Sequence, residues 1–171
     1  MPTPTQQPAD QLLTSLEFDA WRGFMVTHRR LLRDLDRELV QQHGLPLSSY
    51  EVLMVLSGAS DGRLRMKALA QALQMSPSGL TRIVDDLEHR GFVERMSCPS
   101  DARGMEAVIS EAGRTAFGAA RRSHLAGVRE RFAGRLDEEQ LGVMVAAWEA
   151  VGLTAEGGED EPSCGSACGG D

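Results

Sequence analysis

Apolar residues recur at steps of three and four positions along the first third of the chain, which is the period of an amphipathic helix. The stripe runs from Phe18 to Leu39, and Gly44 follows it as a stop residue. We therefore predict a first helix over about residues 16–43. At ~1.5 Å per residue, the 26 residues from Phe18 to His43 span roughly 39 Å. Because a small domain cannot cover that length, we expect part of the stripe to contact another chain.

Two shorter helices are expected next. Ser48 and Glu51 have the spacing of a capping box, which predicts the start of a second helix. Residues 58–62 are rich in glycine and polar residues and are predicted to form a turn. Residues 67–73 then supply the apolar spacing of a third, short helix.

The fourth predicted helix begins after a second turn. Ser76 takes the N-cap position and Pro77 the first helical position. A basic last turn and Gly91 end the helix. Its buried face is expected at Leu80, Ile83, Val84 and Leu87.

A β-hairpin and two further helices complete the pattern. Residues 92–96 alternate like a strand, residues 105–109 form a plausible partner strand, and the polar segment 97–104 is predicted to connect them as a loop. Ser110 opens a fifth helix and Asp137 caps a sixth.

The order of these elements predicts the fold. Two short helices joined by a tight turn and followed by a hairpin form a winged helix-turn-helix, here over about residues 47–110. The fold class is thus mainly α with a small β-hairpin wing. We expect dimerisation helices over about residues 16–43 and 110–153. A polar flexible lead-in over residues 1–15 and a disordered acidic tail over residues 154–171 are also expected.

Composition and charge narrow the functional classes. The 171 residues suit one domain with short appendages, and no apolar run approaches the ~18 residues of a membrane span. Residues 1–10 lack the basic and apolar segments of a secretory signal, so we expect a cytoplasmic protein. The net charge is −7, yet every basic residue lies between Arg22 and Arg135. The acidic total therefore does not exclude an anionic partner.

The exposed face of the fourth helix carries the chemistry that a DNA-reading helix needs. Small hydroxyls at its start can approach phosphates and base edges, with help from the helix dipole. Arg82, one turn further on, can fork onto a guanine edge or hold a phosphate. The alternative is that the serines only cap the helix and that Arg82 pairs with Asp85 or Asp86. The exposed candidates are Ser76, Ser78, Thr81 and Arg82.

The hairpin adds a second candidate contact. Asp101 and Arg103 are expected at its tip, where an arginine on an extended wing can enter a narrow minor groove. Asp101 can hold that arginine through a salt bridge. A solvent-exposed turn with an unimportant ion pair is the alternative.

Taken together, these segments resemble the multiple-antibiotic-resistance regulator (MarR) family. The likeness lies in the turn and helix from Ser76 to Gly91, the strand that follows it, the wing residues Asp101-Ala102-Arg103, and the segment from Val108 to Gly113. Ala102 stands where the family commonly carries a second arginine. The flanking helices extend the resemblance over about residues 17–152.

The resemblance implies a homodimeric transcription factor that binds a pseudo-palindromic operator in double-stranded DNA, usually as a repressor. It implies a dimer interface built from the first and last helices. It assigns Ser76, Ser78, Thr81 and Arg82 to the start of the recognition helix, and Asp101 and Arg103 to the wing. It implies no cofactor and no membrane partner.

Many relatives are released from DNA by small aromatic acids. Trp21, Met25 and His28 lie along one side of the first predicted helix and could line such a pocket, while Arg22 or Arg29 could hold a carboxylate. The competing interpretation places Trp21 and Met25 in the core or in the dimer interface.

Three cysteines offer a different form of regulation. Cys98 falls in the wing, and Cys164 and Cys168 form a C-x-x-x-C pair in the tail. They could make the protein a thiol-based redox or metal-responsive regulator. Incidental thiols are the alternative.

The sequence carries no motif of a hydrolase, metalloprotease or nucleotide-binding enzyme, and its four histidines fall on different predicted helices. We therefore expect no enzyme and no metal site. The remaining rival is a helical module whose winged domain binds protein. Its binding would not respond to salt, whereas operator binding would weaken steeply.

Overall fold

The computed structural model describes residues 12–98 and 101–152, without the side chains of residues 98 and 101–103. The described chain contains six α-helices, one short 3-10 helix and three strands. The helices are α1 (Ser15–His43), α2 (Leu47–Gly58), α3 (Met66–Ala72), α4 (Pro77–His89), α5 (Glu111–Arg131) and α6 (Glu138–Ala150). The strands are β1 (Arg63–Arg65), β2 (Val93–Cys98) and β3 (Asp101–Ile109). This agrees with the predicted fold class of a mainly helical protein with a small β wing.

Residues next to each end of α1 determine where the helix begins and ends. Thr14 and Glu17 form a capping box at the N-terminus, with the Thr14 hydroxyl accepting from the Glu17 N–H. Gly44 ends the helix at φ 61° and ψ 21°, the left-handed conformation that glycine adopts without strain. The predicted first helix is confirmed, although Ser15, assigned to the lead-in, already belongs to it.

The predicted start of α2 is wrong. The helix begins at Leu47 with Pro46 as its N-cap, and no side chain forms a capping bond there. Instead the Leu47 N–H donates to Asp36 Oδ1 of α1 over 2.8 Å. Glu51 is half-buried, and burial raises the pKa of its carboxyl group. A carboxylate from a neighbouring helix therefore does what Ser48 was expected to do.

The sheet is larger than the predicted hairpin. Its order is β1-β3-β2 and both pairings are antiparallel, with Arg63 opposite Val108 in the first. No strand was expected at β1. The hairpin arms are also longer than predicted, since Cys98 pairs with Asp101. The predicted eight-residue loop is therefore wrong, because backbone pairing extends nearly to the tip.

The core lies between the helix-turn-helix and the sheet. The apolar side of α4 is buried against α2 and β2, and Leu80, Val84 and Leu87 have no solvent exposure. Ile83 is only half-buried and packs against the same cluster. In contrast, α6 has no buried residue within this chain. The helix-turn-helix thus has a complete core of its own, whereas the last helix does not.

Helix α5 links the sheet to α1. Near its middle, His124 stacks on Tyr50 of α2 with ring centroids 4.6 Å apart. Burial lowers the pKa of His124 and raises that of Tyr50, so both rings are neutral near pH 7. At its end Arg131 pairs with Glu38 of α1. One helix therefore fixes α2 and α1 relative to each other.

A tight approach at the start of α5 gives the first prediction. A Cβ at Gly113 would lie 2.1 Å from the Phe92 carbonyl oxygen, whereas one at Gly118 on the same helix would meet nothing within 4 Å. We expect Gly113→Ala to lower the free energy of unfolding by about 1–3 kcal/mol, as overpacking does. Gly118→Ala should raise it by up to ~1 kcal/mol through helix propensity.

Denaturant unfolding of both variants measures the difference. Equal stabilities of the two variants would contradict the assigned contact between α5 and the residue that precedes β2.

The turn between α3 and α4 gives a second prediction. Gln74 has φ 51° and is the non-glycine residue with positive φ in the described chain. Because an L-residue costs roughly 1 kcal/mol in this conformation, we expect Gln74→Gly to raise the unfolding free energy by up to about that amount. The control Gln71→Gly lies inside α3 and should lower it by a similar amount. Thermal unfolding distinguishes the two signs, and destabilisation by Gln74→Gly would contradict the interpretation.

Candidate nucleic-acid interface

The exposed face of α4 is built from its first two turns. Ser76 is the N-cap and its hydroxyl accepts from the Gly79 N–H over 3.2 Å. Its oxygen also lies 3.4 Å from the Ser78 hydroxyl. The Thr81 hydroxyl donates to the Pro77 carbonyl over 2.8 Å, which leaves its oxygen free to accept. The three predicted hydroxyl residues therefore lie together on the solvent side of the helix start.

Arg82 is exposed on the same face, one turn beyond Ser78. Within the described part of the chain it forms no hydrogen bond or ion pair. The alternative that Asp85 or Asp86 pairs with it is wrong, because Asp85 binds Arg95 of β2 and Asp86 pairs with Arg90, the C-cap residue of α4. Asp85 lies 2.5 Å from Arg95 and Asp86 lies 3.7 Å from Arg90. The guanidinium of Arg82 is thus available to a ligand.

Arg95 of β2 is a residue that sequence reasoning did not assign to this site. Its Nη1 contacts Asp85 Oδ1 and, at 2.9 Å, Glu88 Oε2. Its Nη2 donates to the Thr81 carbonyl over 3.1 Å, and its backbone N–H donates to Glu88 Oε1 over 3.2 Å. The sequence signal was an arginine on the strand that follows an acidic helix. Four contacts therefore join the base of the wing to α4.

Arg90 occupies the other end of α4. Its Nη1 donates to the carbonyl oxygen of Gly44 over 3.1 Å, and its guanidinium carbon lies 4.7 Å from the centre of the Phe92 ring. Gly44 ends α1, so this side chain connects the end of α1 to the end of α4.

The wing residues are only partly described. The backbone of Asp101 and Arg103 belongs to β3, which places them at the outer end of the hairpin. Their side chains lie outside the described part of the structure, as does that of Cys98 at the end of β2. Cys164 and Cys168 lie wholly beyond the described residues. The predictions for these five side chains therefore stay predictions.

A groove of about 470 Å³ lies between α1 and α6. Of the four residues predicted to bind an effector, His28 lines it, together with Phe24 and Trp148, whose rings lie 5.3 Å apart. Trp21, Met25 and Arg29 are not among the lining residues, because the groove opens on the neighbouring face of α1. The remaining lining residues are Asp19, Ala20, Gly23, Thr27, Leu31, Phe132, Met144 and Ala147.

Among the described residues, no group of three or more histidine, cysteine, aspartate or glutamate side chains is arranged to hold a metal ion. None of the described helices combines the length and apolar character of a membrane span.

The chain is similar to a known protein family and to individual regulators of transcription. A family model described as the MarR family matches residues 43–104. An uncharacterized HTH-type transcriptional regulator of Mycobacterium bovis, Mb0904, is 32% identical over 88 residues, which make up 52% of this chain and 62% of that protein. The chain thus spans less than two thirds of this relative.

Solved structures resemble a larger part of the chain. AbsC, a MarR family transcriptional regulator from Streptomyces coelicolor, is 33% identical, with a TM-score of 0.77 over 83% of this chain and 95% of that one. Sco3205, a MarR family regulator from the same organism crystallised in complex with DNA, is 31% identical. Its TM-score is 0.78, and the match covers 88% of this chain and 96% of that one.

Proposed function

Because the chain belongs to the MarR family of transcriptional regulators, we propose that it acts as a homodimer that binds an inverted-repeat operator in double-stranded DNA. Helix α4 enters the major groove, and the wing formed by β2 and β3 lies along the adjacent minor groove. The similar regulator Sco3205 was solved in complex with DNA, which supports this assignment.

One observation carries the proposal. Arg82 is an exposed cation without a partner in the described chain, and it stands beside the hydroxyls of Ser78 and Thr81 on the exposed face of a buried helix. An arginine in this position can form two hydrogen bonds with a guanine edge, and the hydroxyls can hold phosphates.

The dimer is supported by the apolar surface that the single chain leaves open. Leu16 on α1 is 80% exposed and Val143 on α6 is 65% exposed, and Phe18 and Trp21 are also more than half exposed. Exposed large apolar side chains on two helices are typical of a protein interface. A two-fold pairing of α1 and α6 would cover these side chains and would place two copies of α4 about one turn of DNA apart, roughly 34 Å.

We further propose that the protein is a repressor that an aromatic acid releases from DNA. A dimer seated across an inverted repeat blocks the duplex that it covers. The groove beside Phe24, His28 and Trp148 has mostly apolar walls, with Asp19, Thr27 and His28 as its polar side chains, and such a lining suits a small aromatic ligand. Benzoate, the simplest aromatic acid, is the first compound to add to the binding assay below.

The binding experiment uses fluorescence anisotropy against inverted-repeat duplexes whose half-site centres are about 10 base pairs apart. We expect sequence-selective binding that weakens by about a thousandfold between 50 and 200 mM salt, because six or more phosphate contacts release counterions. A scrambled duplex of the same composition is the control. Sedimentation of the same sample gives the oligomeric state.

Three results would refute the proposal. Binding of the scrambled and repeated duplexes with equal affinity would exclude an operator. Binding that does not change with salt, or a monomer at the concentrations where binding saturates, would favour a protein-interaction module.

The role of Arg82 gives a further prediction. We expect Arg82→Ala to weaken operator binding by about 1–3 kcal/mol and to relax the preference at one base pair, if Arg82 reads a guanine. Arg30→Ala is the matched control, since it removes an exposed arginine from α1, outside the helix-turn-helix. Equal affinity of the two variants would remove Arg82 from the interface.

A further inference from the structure

Two carboxylates lie on the face of α4 that the proposed function turns towards DNA. Asp85 follows Arg82 by three positions and Thr81 by four, and Glu88 is one turn further on, so all four side chains lie along one side of the helix. Asp85 and Glu88 keep about half of their side-chain surface exposed. Uncompensated charges here would repel the phosphates of an approaching duplex.

Arg95 meets both carboxylates from the neighbouring strand. It is the most enclosed member of the cluster, with a side-chain exposure of 19%. Both of its terminal nitrogens are engaged, one by the two carboxylates and the other by the Thr81 carbonyl. An arginine held in this way has little left to offer a phosphate directly.

The same cluster anchors the wing. In the sheet order β1-β3-β2, β2 is an edge strand. Glu88 accepts the Arg95 backbone N–H on the side of β2 that faces away from β3, and it accepts the guanidinium as well. One glutamate on α4 thus holds the strand from which the wing extends.

We propose that Arg95 is a positioning residue for DNA binding, which acts through Asp85 and Glu88 and not by contact with DNA. It cancels the charge of the two carboxylates beside the duplex and fixes the base of the wing against the recognition helix. This inference rests on the proposed function, since it assigns a role only if α4 faces DNA.

The test is a double-mutant cycle on the duplex that the wild-type protein selects from an inverted-repeat pool. We expect R95Q to weaken binding by about tenfold at ~0.1 M salt in the wild-type background. In the D85N/E88Q background, where there is no charge left to cancel, the same substitution should change affinity by less than about twofold. R95K, which keeps the charge, should retain most of the wild-type affinity.

The controls separate folding from binding. The midpoint of thermal unfolding is measured for every variant, and the affinity of D85N/E88Q is the reference for the substitutions made in its background. Equal losses from R95Q in both backgrounds would overturn the proposal, since they would make Arg95 a direct DNA contact. No loss in either background, or a loss with R95K as large as with R95Q, would also overturn it.

Failure of the proposed function gives a different result. In that case the wild-type protein itself selects no duplex from the pool, before any variant is compared.

Discussion

The burial of one side of α4 is the constraint on which the proposed interface depends. Leu80, Val84 and Leu87 lose all contact with water against α2 and the sheet. At about 1.5–3 kcal/mol for each large apolar side chain, this burial leaves the helix a single stable rotation about its axis. Successive residues are separated by about 100°, so the same rotation that buries Leu80 turns Ser78 and Arg82 outwards. The packing of the core therefore determines that Ser78 and Arg82 lie on the exposed face of α4.

The acidic residues near Arg82 pair with other arginines, so Arg82 has no ion-pair partner in the described part of the chain. Of the acids that follow it on α4, Asp86 pairs with Arg90, the C-cap residue of the same helix, and Asp85 pairs with Arg95 of β2. Local pairing between neighbours on one helix is weak, a few tenths of a kcal/mol. An arginine that also bonds to backbone carbonyls, as both of these do, competes with it easily. Arg90 and Arg95 thus stabilise the structure, whereas Arg82 is available to a ligand.

Helix α5 connects the base of the wing to α1. Ser110 caps α5, donates its hydroxyl to the Gly91 carbonyl and its N–H to the Phe92 carbonyl, and so joins the helix to the turn before β2. The absence of a side chain at Gly113 permits the close approach. At its other end α5 meets α1 through Arg131 and Glu38. Helix α5 therefore links the packing of α1 to the position of the wing.

The sequence alone predicted the features that depend on residues close together in the chain. The caps at Ser76, Ser110 and Asp137, the stops at Gly44 and Gly91, and the buried face of α4 all follow from side chains within one or two turns of the residues they affect. The exposure of Arg82 follows from the same helical period. Only tertiary structure could decide the rest. β1 is three residues long and has no pattern of its own, so it exists because β3 offers it a partner. α2 starts at Leu47 because Asp36 of another helix satisfies its N–H. The Arg95 cluster depends on where a strand lies beside a helix, and hydrogen bonds of this kind form only after the core has brought distant segments within about 3 Å.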